Sequence, residues 1–214
     1  MYAFMYPGGY CINGIPVRQA DIDELLLRDN YLLEEYCQQG EFENNIWPYS
    51  VNTIRIISLT YQGVLKVAAA IQRIGMDKTQ CVDNACMGGL YADIDIKTGR
   101  MSAARSHSKD NLLNSDGTKK LFSHHPVTKS RIQGVVIPEW DSICNYVIGL
   151  HRALSFTGIE FIAWDIALTE EGCRVIEANT SCGLDLLQTS GGVRNEMIGK
   201  WMKEKGYLRE KMRR

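Results

Sequence analysis

Two acidic residues and an asparagine stand out in IEFIAWDIALTEEGCRVIEANTSCG, residues 159–183, because they interrupt two apolar, strand-like runs. The acids are Asp165 and Glu177. Asn179 lies two residues beyond Glu177 and therefore points to the same face of a strand. Two carboxylates and an amide supply hard oxygen ligands and leave room for phosphate oxygens, a donor set that suits Mg²⁺.

The residues between the two runs set the register. Glu170-Glu171-Gly172 predicts a three-residue hairpin loop closed by Gly172 in the left-handed conformation. That loop pairs Thr169 with Cys173 and places Asp165 opposite Glu177, with Cβ atoms roughly 5 Å apart. Like charges in this position are unfavourable in a sheet unless a cation compensates them.

The alternative is a solvated strand face that binds nothing, since acids on exposed strands are common. Strand alternation puts Phe161 and Ala163 on the same face as Asp165, which favours a functional site over a solvated face.

Composition restricts the class of protein. The 214 residues carry a formal net charge of −1, which gives no reason to expect nucleic acid or an anionic membrane as partner. The seven cysteines are scattered and form no C-x-x-C pair, a pattern typical of reduced thiols. No apolar run approaches 18 residues, and the first residues do not resemble a signal peptide. The sequence predicts a soluble cytoplasmic protein.

The elements that must position these residues are mostly strands joined by tight turns. We expect hairpins at Asn13-Gly14 and Gln62-Gly63, and a helix after Pro138. The run QQGEFENNIWPY, residues 38–49, is interpreted as a loop. The predicted fold is α+β, with an antiparallel sheet and flanking helices.

The order of motifs resembles the ATP-grasp superfamily. Its members carry an acid, then an E-x-N about a dozen residues later, matched here by Asp165 and Glu177-Ala178-Asn179. The segments SVNTIRI, VDNACMGG, DIKTGR, HPVT, IPEW and AWDIA are most similar to the sugar-transfer-associated branch, which is linked to surface polysaccharide synthesis. Glutamate-adding relatives have Ser-Pro-Gly after the Asn, whereas this chain has Ser181-Cys182-Gly183.

The resemblance implies a nucleotide site. LLEEYCQQGE resembles the hinge strand that holds adenine, with the backbone around Glu35, Tyr36 and Cys37 at the adenine edge. Glu34 would assist in binding adenine, and Glu41 would accept hydrogen bonds from the ribose hydroxyls. Without the neighbouring motifs, these acids would be interpreted as an exposed strand edge.

The resemblance also implies which residues contact phosphate or substrate. The phosphate and catalytic residues implied are Arg55, Arg73 and Asn84, and the substrate-side residues are His125, Gly88 and Gly89. Arginines offer permanently charged, bidentate donors for phosphate oxygens. The alternative is that the two arginines are ordinary surface charges. The histidine would then lie in a solvated loop, and the two glycines would form an ordinary turn.

The resemblance implies that the chain is divided into three parts. Residues 1–30 would be a remnant of the first ATP-grasp lobe, truncated and without lysine; 31–194 the C-terminal lobe; and 195–214 a basic helix. The implied activity is an ATP- and Mg²⁺-dependent ligase joining a carboxylate-bearing substrate to a nucleophile. A non-catalytic nucleotide-binding or partner subunit is the alternative, and a second chain or segment is the expected source of missing first-lobe groups.

Overall fold

The computed structural model describes residues 3–6, 9–12, 15–28, 30, 37–78, 83, 88–106, 120–188 and 191–208. The N-terminal part is an antiparallel three-stranded sheet followed by a helix. Its elements are β1 (Ala3–Tyr6), β2 (Gly9–Ile12), β3 (Ile15–Val17) and α1 (Gln19–Leu26). The pairing of Ile12 with Ile15 confirms the hairpin predicted at Asn13-Gly14, although those two residues lie outside the described ranges.

A six-stranded antiparallel sheet forms the centre of the protein, in the order β7-β6-β5-β4-β8-β9. Its strands are β4 (Thr53–Tyr61), β5 (Val64–Ile74), β6 (Leu90–Asp93), β7 (Arg105–Ser106), β8 (Phe161–Thr169) and β9 (Gly172–Asn179). Every adjacent pair is antiparallel. The predicted α+β class with an antiparallel sheet is therefore confirmed.

The β4–β5 hairpin turns where the sequence predicts it. Gln62 and Gly63 have φ values of +52° and +76°, so both turn residues are left-handed. Two-residue turns of this kind match the right-handed twist of the strands that they join. The tight turn sets the pairing of β4 with β5, which carry Arg55 and Arg73 respectively.

The first face of the sheet packs on helices α2 (Glu41–Ile46) and α3 (Trp140–Ala153). Helix α3 confirms the helix predicted after Pro138, and its residues Trp140, Ile143 and Val147 are buried at helical spacing. These contacts make the larger hydrophobic core and leave the residues of the other face to form the site.

The second face is apolar at one end, where helix α4 (Met197–Glu204) covers it. Ile198 is buried against this face, and the Trp201 ring stacks on Phe161 at a centroid distance of 5.4 Å. The helix lies within the basic segment predicted for 195–214, and its apolar side belongs to the second hydrophobic core.

Helix α2 corrects the prediction of a loop over residues 38–49. Gly40 caps the helix, and the backbone N–H of Asn44 donates to the Gly40 carbonyl. The acids Glu41 and Glu43 lie in its first turn, where the helix dipole favours negative charge. Phe42 and Ile46, four residues apart, contribute to the first-face core. One apolar pair spans a single helical turn, which is too short for hydrophobic periodicity to predict a helix.

Among the described helices, none combines the length and the apolar composition required to cross a bilayer.

Candidate metal and phosphate site

Asp165 and Glu177 lie directly opposite each other on β8 and β9, as predicted. Gly172 has φ +110°, which confirms the expected left-handed glycine. The predicted register next to the turn is wrong, because Thr169 pairs with Gly172 and the loop has two residues. A β-bulge between Asp165 and Ile166 adds the missing residue on the β9 side, so the two acids still face each other.

Arg55 of β4 is the cation that compensates this acidic pair. It lies opposite Asp165 on the other side of β8, so Arg55, Asp165 and Glu177 form a row across three strands. Arg55 donates from Nε to Oδ1 and from Nη2 to Oδ2 of Asp165, each at 2.7 Å. Those bonds raise the pKa of the Arg55 guanidinium, against an opposing effect of burial. Asp165 is only 3% exposed, so this is a buried, bidentate ion pair.

Arg73 of β5 joins the same cluster. Its Nη1 donates to Asp165 Oδ2 at 3.1 Å, and its Nη2 donates to Asp83 Oδ1 at 2.7 Å. We call Arg55, Arg73, Asp83 and Asp165 the charge cluster. Its formal charges cancel, which is the condition under which ionised side chains tolerate burial.

The sequence interpretation missed Asp83. It is buried beside Thr53 and Arg73, whereas the residue singled out from VDNACMGG was the adjacent Asn84. An acid in a Gly-containing loop, close in sequence to an arginine that lies in an apolar strand, was the available signal.

Glu177 and Asn179 lie beside the charge cluster on the same face of the sheet. Glu177 is exposed and Asn179 is partly buried, and neither side chain forms a hydrogen bond to another described residue. Their three oxygen atoms therefore remain available, as does part of the capacity of Asp165 Oδ1, which accepts one hydrogen bond within the described residues.

This donor set fits Mg²⁺. It contains two carboxylates and an amide on one face, and a six-coordinate ion would take its other ligands from phosphate oxygens and water. Within the described ranges, no three His, Cys, Asp or Glu side chains come together as metal ligands, so the protein alone offers no closed metal cage there. An open site is the form that Mg²⁺ uses when it bridges a protein and a nucleotide.

The chain after β9 brings Cys182 close to Arg55 and Asp165. Cys182 is partly buried there; burial raises the pKa of its thiol, and nearby Asp165 and Asp185 raise it further, while Arg55 opposes them. The charged groups of the site therefore lie close enough to Cys182 to shift the pKa of its thiol.

A second arginine–aspartate pair extends the polar face away from β8. Arg105 of β7 donates from Nη1 to Asp93 Oδ2 of β6 at 3.0 Å. Arg105 pairs with Tyr91, which in turn pairs with Arg73, so all three lie on the face of the charge cluster. The sequence interpretation did not include these residues, since an Arg and an Asp twelve positions apart carry no recognisable spacing.

The His125 ring uses both of its nitrogens in contacts with the backbone. It is fully buried, its Nε2 is 2.9 Å from the Gly75 carbonyl, and its Nδ1 accepts from the backbone N–H groups of Val127 and Thr128. Its ring packs against Trp47 at 4.7 Å, and burial lowers its pKa. These contacts fix the position of the imidazole ring, and the predicted role of His125 on the substrate side stays a prediction.

Gly88 and Gly89 come immediately before β6, and Gly88 has φ +98°, a conformation that favours glycine. Glu41 is exposed at the start of α2, where its backbone N–H donates to the Glu170 carboxylate. No hydrogen bond or ion pair between described residues joins Glu41 to the charge cluster.

Cys37 lies in irregular chain before α2. The remaining predicted contacts, Glu34, Glu35, Tyr36 and Asn84, lie outside the described residues, so their placement stays a prediction.

Comparison with known proteins gives one match. The family model described as sugar-transfer associated ATP-grasp matches residues 26–198, well over half of the chain. No curated protein and no solved structure matches the chain.

Proposed function

Because this chain belongs to the sugar-transfer-associated ATP-grasp family, we propose that it is an ATP- and Mg²⁺-dependent ligase. It would join a carboxylate-bearing substrate, small or sugar-linked, to an amine or another nucleophile. The family description supports a place in the synthesis of surface polysaccharides or other sugar-linked products. Among the described residues, Cys144, Cys173 and Cys182 form no disulfide, which supports a cytoplasmic location, where ATP is also available.

The observation that carries this proposal is the row of Arg55, Asp165 and Glu177 across three strands. A single sheet face there presents both fixed positive charge and oxygen ligands for a cation. Phosphate groups require both, since their oxygens bind arginine bidentately and bind Mg²⁺ directly.

Asp165, Glu177 and Asn179 would hold the metal, which would supply charge neutralisation for the phosphate oxygens of ATP. Arg55 and Arg73 would bind the same phosphate group from the other side and stabilise the charge that develops during transfer. In the reaction, a substrate carboxylate oxygen attacks the γ-phosphorus and ADP leaves. The nucleophile then displaces phosphate from the acyl phosphate.

The adenine end of the site remains a proposal built on the family resemblance. Glu34, Glu35, Tyr36 and Cys37 would meet the base, Glu41 the ribose, and Asn84, Gly88 and Gly89 the phosphates or the substrate. The division into a first-lobe remnant (1–30), a C-terminal lobe (31–194) and a basic helix (195–214) is proposed on the same ground.

A non-catalytic nucleotide-binding subunit is the second candidate. The observation in its favour is that Asp165, a proposed metal ligand, already accepts hydrogen bonds from both Arg55 and Arg73. Such a subunit would retain nucleotide recognition and depend on another chain for transfer.

We expect the protein to release ADP from Mg-ATP when a carboxylate is present. The assay uses D-glucuronate and L-glutamate as carboxylate probes and hydroxylamine as nucleophile, with ADP and hydroxamate measured together. Glu177→Gln should lower both signals at least about tenfold, since a charged contact is worth about 1.5–3 kcal/mol. Nucleotide binding without ADP release for either probe would contradict the ligase and favour the second candidate.

A further inference from the structure

Asp83 is the best-connected acid of the charge cluster. It is 5% exposed, and its Oδ2 accepts from the Thr53 backbone N–H at 2.8 Å and from the Thr53 hydroxyl at 2.5 Å. These two bonds tie the carboxylate to the first residue of β4. Its position is therefore fixed by the sheet and not by Arg73 alone.

Asp83 in turn fixes one edge of the Arg73 guanidinium. Nη2 donates to Oδ1 at 2.7 Å, and Nε approaches Oδ2 at 3.4 Å. A planar guanidinium bound along its Nε–Nη2 edge has its orientation determined, because the second nitrogen removes rotation about the first contact. The other edge, with Nη1, then points to Asp165.

That orientation places the Nη1 group of Arg73 beside Asp165. Asp165 is a predicted metal ligand, and Nη1 is 3.1 Å from its Oδ2. A donor that is already oriented binds a phosphate oxygen with a smaller loss of side-chain entropy than a freely rotating one.

We propose that Asp83 is a positioning residue of the nucleotide site, holding Arg73 so that its Nη1 edge meets the phosphate oxygens beside the metal. The inference rests on the proposed function and deepens it, since it assigns the orientation of Arg73 to an acid that contacts no phosphate itself. Asp83 also neutralises Arg73, so the cluster remains buried at no net charge before nucleotide binds.

A purely structural role would use the same contacts, with Asp83 serving only as a hydrogen-bond partner of Thr53. The two roles differ in their dependence on Arg73. An anchor affects nucleotide affinity whether or not Arg73 is present, whereas a positioning residue acts only through the guanidinium.

The test is a double-mutant cycle of Asp83→Asn and Arg73→Met on the full chain. The measured quantity is the affinity for the Mg²⁺ complex of the non-hydrolysable analogue AMP-PNP, by calorimetry. We expect Asp83→Asn to weaken binding about tenfold or more in the wild-type background and to have little further effect beside Arg73→Met. Asp141→Asn, an exposed acid on α3, is the matched control and should bind like the wild type.

The positioning role is wrong if Asp83→Asn lowers the nucleotide affinity equally in the wild-type and Arg73→Met backgrounds. It is also wrong if Asp83→Asn does not lower the affinity while Arg73 is present. Either result leaves the proposed function in place. Failure of the wild-type protein to bind the complex would instead refute the proposed function, and this inference with it. Circular dichroism checks that each variant is folded. If Asp83→Asn does not fold, Asp83→Glu keeps the charge and moves the carboxylate by one methylene, and the same loss and the same dependence on Arg73 are expected.

Discussion

The free energy of unfolding is expected to decrease as pH rises from about 4.5 to about 8 because of one buried acid, Glu43. Burial raises its pKa from 4.5 to about 8, nearby Asp83 adds to the shift, and hydrogen bonds from Gln72 and Asn52 oppose it. The unfolded chain releases this proton near pH 4.5 and the folded protein retains it until about pH 8. The unfolded state therefore binds fewer protons across that window, and stability falls by about 1.4 kcal/mol per pH unit.

Glu43→Gln removes this titration while keeping the shape of the side chain. The variant should match the wild type below pH 4.5 and become more stable than it, by several kcal/mol, towards pH 8. Urea unfolding at a series of pH values gives the difference curve, which cancels the contributions of other groups such as His125. Glu41→Gln, an exposed acid in the same helix, is the control and should leave the wild-type slope unchanged. A Glu43→Gln curve parallel to that of the wild type would show that Glu43 does not retain its proton.

Arg55→Met is expected to destabilise the protein by about 3 kcal/mol. Asp165 would remain buried with Arg73 as its one charged donor among the described residues, and removing one partner of a buried ion pair typically costs 3–5 kcal/mol. The remaining contact to Arg73 places the expected value at the lower end of that range. Arg18→Met is the matched control, because it removes a solvent-exposed ion pair with Asp21 and should cost much less than Arg55→Met.

Chemical denaturation measures both variants, and the double variant Arg55→Met/Asp165→Leu extends the test. Replacing both partners with apolar groups should recover most of the loss, since no unpaired charge then remains in the interior. A loss for Arg55→Met no larger than that for Arg18→Met would contradict a buried, interdependent cluster.

The sequence predicted the parts of the fold that depend on local patterns. Gln62-Gly63 and the apolar stripe of α3 are signals contained within a few residues, and both elements form where expected. The opposition of Asp165 and Glu177 was also predicted, but from a three-residue loop, whereas the structure reaches it with a two-residue loop and a bulge. A bulge depends on packing against neighbouring strands, which the hairpin sequence does not contain.

Local sequence patterns could not predict which residues contact the site residues. Arg55 and Arg73 were identified as candidates, but their contacts with Asp165 and Asp83 join strands that are far apart in the chain. His125 was identified from the HPVT motif, but its full burial depends on residues that are distant in the chain, such as Trp47 and Gly75. Burial and partner choice are set by the assembled sheet.

The most direct test of the proposed metal site is a calorimetric titration with AMP-PNP, carried out with and without Mg²⁺. The proteins titrated are the wild type, Glu177→Gln and Glu171→Gln. Glu177 lies in the proposed metal site, whereas Glu171 is an exposed acid in the turn of the same hairpin. We expect Mg²⁺ to strengthen binding to the wild type and to Glu171→Gln, and Glu177→Gln to lose about ten- to a hundredfold of that Mg²⁺-dependent affinity. Equal Mg²⁺-dependent affinity in Glu177→Gln and the wild type would contradict a metal site on this face of the sheet.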